Sequence, residues 1–74
     1  SIKPAEDGSW SEINIYITEE YSKDEHWSTM TDDVLNDFYG FFTQLAKEAE
    51  VVGKNDDVKI TFYSHAGDVL AQNY

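Results

Sequence analysis

The sequence predicts an α+β fold, a single small domain in the order strand, helix, strand, strand, with one helix packed on a three-stranded sheet. Three observations carry this expectation. Ile13, Ile15 and Ile17 alternate with Asn14, Tyr16 and Thr18, the period-two pattern of a strand with one buried face. Apolar side chains from Leu35 to Val52 recur at spacings of three and four, which places them on one face of a helix. Val58, Ile60 and Phe62 then alternate with Lys59, Thr61 and Tyr63, a second strand.

Taken in order, residues 1–11 hold the proline Pro4, Gly8 and the acidic pair Glu6 and Asp7, and read as an extended lead-in with little structure. The first strand is expected within residues 12–21. Residues 22–29 are polar apart from Trp27 and read as a connection long enough to carry function. A helix should start at Thr31, whose hydroxyl can accept from the exposed amides of the first turn. Asp32 and Asp33 sit well against the positive helix end, and Met30 with Leu35 matches a hydrophobic staple. The core face is expected to be Leu35, Phe38, Phe42, Leu45, Ala49 and Val52, with Gly53 as the C-terminal stop. Gly40 costs about 1 kcal/mol relative to alanine inside a helix, which suggests close packing against another backbone. After a loop at residues 54–57 and the second strand, Gly67 suits the left-handed backbone of a hairpin returning through residues 69–74. If the first two strands are parallel, a right-handed crossover joins them.

At 74 residues the chain forms one domain, residues 1–74, because so short a chain hides only about 60% of its unfolded surface. A hydrophobic content of 41% with 15% aromatics is enough for a packed core despite the charge. The absence of cysteine removes disulfides, thiolate nucleophiles and cysteine metal clusters, and suits a reducing, cytoplasmic setting. No apolar run approaches the roughly 18–20 residues of a membrane span, and the first residues do not read as a signal peptide.

Fifteen acidic against five basic residues give a formal net charge of -10, which repels nucleic acid and anionic lipid alike. No direct nucleic-acid or membrane contact is therefore expected. No catalytic site, cofactor or metal site is expected either. His26 and His65 fall in loops without a second ligand at useful spacing. The Asp24, Glu25, His26 run lacks the alternating oxygen ligands and glycine of a calcium loop. Glycine-rich phosphate loops are missing too.

The distribution of carboxylates is more informative. They fall in doublets at Glu6 and Asp7, Glu19 and Glu20, Asp24 and Glu25, Asp32 and Asp33, Asp56 and Asp57. In the simplest reading they keep a small protein soluble. Yet Asp33 and Asp37 are like charges four residues apart, and Glu48 and Glu50 fall at the negative end of the helix. Few lysines are available to neutralise them. The leading expectation is thus an acidic protein-binding inhibitor or regulator that imitates nucleic-acid phosphates and occupies the basic cleft of a nucleic-acid enzyme or DNA-binding protein. Phage inhibitors, anti-restriction proteins and nuclease immunity proteins supply an analogy of charge and size. The expected partner surface is Asp24, Glu25, Trp27, Asp32, Asp33, Asp37 and Tyr39. The alternative is a structural or assembly module that self-associates, as a homodimer for instance, or docks through an aromatic sheet face bearing Tyr16 and Tyr63, since tyrosine and tryptophan dominate binding hot spots.

Overall fold

Both alternating segments form strands, and they lie side by side at the centre of one sheet. The computed structural model describes residues 2–4, 10–54 and 57–74; Glu6, Asp7, Gly8 and Asp56 lie outside these described residues. Strands β1 (Ile2–Pro4), β2 (Trp10–Tyr16), β3 (Asp57–Tyr63) and β4 (Val69–Gln72) follow one another across the sheet in chain order. β2 and β3 are parallel, and both outer pairs are antiparallel. The fold is α+β as expected, with a fourth strand added. Part of the presumed lead-in is that strand: Ile2 to Pro4 pair with Ile13 to Ser11, and the proline is tolerated because β1 is an edge.

The central register sorts the side chains. Ile13 lies opposite Ile60 and Ile15 opposite Phe62, so these residues share the face that the helix covers. Asn14 opposite Thr61 and Tyr16 opposite Tyr63 share the other. β2 begins earlier than the sequence suggests and ends at Tyr16, after which the Ile17 amide makes one more bond to the Tyr63 carbonyl at 2.8 Å. The following connection is not irregular. It winds into a 3-10 turn at Glu20–Ser22 and a single helical turn, α1, at Asp24–Trp27.

The long helix, α2, spans Asp32–Glu48. Thr31 caps it as expected, its side chain accepting from the Val34 amide at 3.3 Å. The stop is different. Glu50 turns left-handed with φ 58°, its amide donates to Lys47 and that of Val51 donates to Ala46, the paired bonds of a Schellman ending. The left-handed residue is Glu50, three positions before the expected Gly53. An acidic side chain thus occupies the position that favours glycine.

The helix is also rotated from its expected setting. Tyr39 and Ala46 are its buried residues, with Leu35 and Phe42 packed beside them. Phe38 and Leu45, expected in the core, are 39% and 45% exposed; Ala49 is exposed too. At 100° per residue the buried stripe lies roughly 50° round the axis from the expected one. Gly40 faces away from the sheet, and a Cβ there would meet nothing within 4 Å, so it serves no close backbone contact. The core joins Ile13, Tyr39, Ala46, Val52, Ile60 and Phe62.

At the other end, residues 64–68 make the expected hairpin turn, with Gly67 at φ 94° and the Ser64 amide bonded to the Asp68 carbonyl at 2.7 Å. β4 is short and pairs with only the last part of β3. Asn73 continues the pairing by other means. Its amide donates to the Ile60 carbonyl, its Oδ1 accepts from the Ile60 amide at 2.7 Å, and its Nδ2 donates to the Val58 carbonyl at 3.0 Å.

Candidate functional site

The connection expected to carry function is a pinned structure. The Ser22 hydroxyl donates to the Thr18 carbonyl at 2.7 Å and accepts from the His65 amide at 2.9 Å, which ties the connection to the hairpin turn. The Trp27 indole donates to the Tyr21 carbonyl at 2.7 Å, and its ring packs on Phe62 with centroids 5.4 Å apart. Trp27 therefore fastens the connection to the core, and its polar group is already used. Sequence spacing alone gives no sign of this six-residue bridge.

Tyr39 is displaced further from its expected role. It is 9% exposed and stacks on Phe62 at 5.7 Å, so its ring belongs to the core and is no surface anchor. Burial, with a smaller contribution from the Asp32 charge, raises its phenol above the usual 10.0.

Asp24, Glu25, Asp32, Asp33 and Asp37 are all exposed. They do not share one depression. Asp24 borders a hollow with Ser64, His65 and Asp68 of the hairpin turn, whereas Asp32 borders another with Asn73 and Tyr74. Asp33 and Asp37 lie on the outward side of α2. Among the described residues the one ion pair is His26 with Glu25, at 4.0 Å, and no lysine neutralises these carboxylates. Lys59 is engaged elsewhere, 4.4 Å from the Trp10 ring centre and 5.5 Å from that of Tyr74.

The open sheet face carries a tyrosine ladder. Tyr16 and Tyr63 stack with centroids 5.0 Å apart and planes 17° from parallel, and Tyr16 is 64% exposed. Tyr74 covers Thr61, their hydroxyls 3.0 Å apart, and reaches Glu12 at 3.3 Å.

The rotation of α2 uncovers Phe38 and Leu45, expected in the core, beside Val34 and Phe41, for which the sequence predicts no role. Val34, Phe38, Phe41 and Leu45 are 43%, 39%, 59% and 45% exposed. Their 4-3-4 spacing sets them in one row along the helix. That spacing was visible, but it competes with the buried row Leu35, Tyr39, Phe42 and Ala46 immediately beside it. Phe38 also lines a cavity of about 330 Å³ shared with Ile17, Trp27, Met30, Phe42 and Phe62. Tyr21 and His26 stand at the same cavity, their rings 6.0 Å apart.

Among the described residues no helix is long and apolar enough to cross a membrane. Comparison with protein families, curated proteins and solved structures finds no match to this chain.

Proposed function

We propose that this chain is a non-catalytic binding protein whose target is a basic protein surface. The observation that carries the reading is the state of its carboxylates. Asp24, Asp32, Asp33 and Asp37 are exposed and lack a lysine partner among the described residues, in a chain of net charge -10. Such an array destabilises the folded chain through self-repulsion and is relieved by a cationic partner. Its finer form is an inhibitor or regulator, of the kind phage and other mobile elements encode, whose carboxylates stand in for nucleic-acid phosphates in the cleft of a nucleic-acid enzyme or DNA-binding protein. Freedom from cysteine fits work in the cytoplasm.

Carboxylates divided among two hollows and the outer side of α2 suit a partner that wraps the acidic surface. The sheet face supports an assembly module less well, because its rings and hydroxyls already satisfy one another in the Tyr16–Tyr63 stack and the Thr61–Tyr74–Glu12 chain.

The test is affinity capture from lysate, eluted once with salt and once with duplex DNA. Nucleic-acid-binding proteins released by both eluants are the expected result. Retention that ignores both would remove the electrostatic reading, and release by salt but not by DNA would reject the phosphate mimicry alone.

A further inference from the structure

We infer that the outer row of α2 is a docking groove for a lysine- or arginine-flanked amphipathic helix of the partner protein. The inference rests on the binding reading above and names the segment that is bound.

Val34, Phe38, Phe41 and Leu45 form an exposed apolar row that spans about 17 Å at 1.5 Å per residue, room for three turns of a second helix. Their 4-3-4 spacing is that of a helix-packing seam. The row is therefore more than scattered surface hydrophobicity. Near its first turn it borders the 330 Å³ cavity, through Phe38. That volume falls within the range of small-ligand sites, so a large apolar side chain at the head of the docked helix has a socket lined by Trp27, Met30 and Phe42.

Charge selects the occupant. On a helical wheel the row is bordered on its outward side by Glu48, Asp37, Gln44 and Asp33, and by no basic residue. The opposite border is the buried row that packs on the sheet. A helix laid on the groove therefore meets three carboxylates, those of Asp33, Asp37 and Glu48, along one edge. A second copy laid antiparallel would bring the same acidic edge against its own, and one laid parallel would still set two chains of net charge -10 against each other, so both pairings are repulsive. A helix with lysine or arginine flanking its seam meets opposite charge instead, which both attracts and orients it.

The probe is a synthetic helical peptide of about four turns with leucines along one seam and lysines on both flanks, titrated into the full isotope-labelled chain. Comparison peptides keep the leucine seam with glutamate flanks, or keep the charge as oligolysine. The lysine-flanked peptide is expected to shift the amide and side-chain signals of Val34, Phe38, Phe41 and Leu45. Phe41→Ser and Leu45→Ser, both at exposed positions, are each expected to weaken it about tenfold while leaving the circular dichroism unchanged. Oligolysine is expected to bind at least about tenfold more weakly, and the glutamate-flanked peptide not at all.

Equal binding of oligolysine, or wild-type binding by both serine variants, would overturn the groove while leaving a salt-sensitive capture of basic proteins standing. Binding of the glutamate-flanked peptide would overturn the charge selection. A dimer in sedimentation that Phe41→Ser dissociates would hand the groove to a second copy and overturn the proposal.

Discussion

The ring of Tyr39 lies on that of Phe62, centroids 5.7 Å apart and planes 24° from parallel, and this contact sets the rotation of α2 on the sheet. Trp27 and Phe42 meet the same Phe62 ring at 5.4 and 5.7 Å. Phe62→Ala is therefore expected to cost about 3–5 kcal/mol, enough to unfold much of a small domain, as read by urea denaturation.

Tyr39 adds a pH dependence of definite sign. Its phenol is raised above 10.0 in the fold, so the unfolded chain loses that proton first. The stability it confers is complete below about pH 10 and is lost as pH rises through the folded value. Tyr39→Phe keeps the ring and removes the proton. The difference in urea midpoint between the two proteins should change steadily above about pH 10; a constant difference would contradict the burial of the phenol.

Leu45 and Ile60 separate the two apolar rows energetically. Leu45 is 45% exposed and Ile60 fully buried. Leu45→Ala should change stability by no more than about 0.5 kcal/mol, and Ile60→Ala should reduce it by about 2–5 kcal/mol. A large loss at Leu45 would restore the helix setting expected from sequence.

Two positions of α2 are open to improvement. Gly40→Ala should stabilise by about 1 kcal/mol, because the site is helical and open. Glu50→Gly should also raise the melting temperature, by an amount worth about 0.5–1 kcal/mol. It relieves a left-handed backbone at φ 58° and removes an anion from the negative helix end.

Asp24→Asn, Glu25→Gln, Asp32→Asn and Asp33→Asn together remove four charges while keeping shape. Partner association is expected to slow more than dissociation quickens, since charge acts chiefly on encounter. Helix stability should fall by only about 0.3–1 kcal/mol for each first-turn aspartate. Wild-type binding should weaken steeply as the screening length contracts from about 30 Å at 0.01 M salt to about 8 Å at 0.15 M. Stopped-flow association at these two salt concentrations checks both points.

The elements most legible in the sequence were those whose pattern has one solution. Alternation at Ile13 and Ile15 and at Val58 to Phe62 fixed both central strands, and Thr31 fixed the start of α2. A three-residue edge strand ending in Pro4 has no periodicity to read. The rotation of α2 was hidden for another reason. Its apolar arc, from Phe41 round to Tyr39, spans roughly 160°, so two rows competed for the sheet. Aromatic packing on Phe62 decided between them. The core position of Tyr39 is not legible because a tyrosine suits either surface or core, nor is that of Trp27, because its bridge to Tyr21 depends on how the connection coils. The carboxylates were legible as charges, yet their division among separate hollows follows from the fold alone.

Asn73 has a consequence for the life of the protein in a crowded solution. A β3 left bare beyond the short β4 would offer Val58 and Ile60 as a template on which another chain's strand could grow. The asparagine amide occupies those donor and acceptor positions with groups of the same chemistry, so the growing point is plugged from within. For a chain whose β3 is rich in β-branched and aromatic residues, that plug is a safeguard against fibrous self-assembly, and it spends one side chain where a further strand would otherwise be needed.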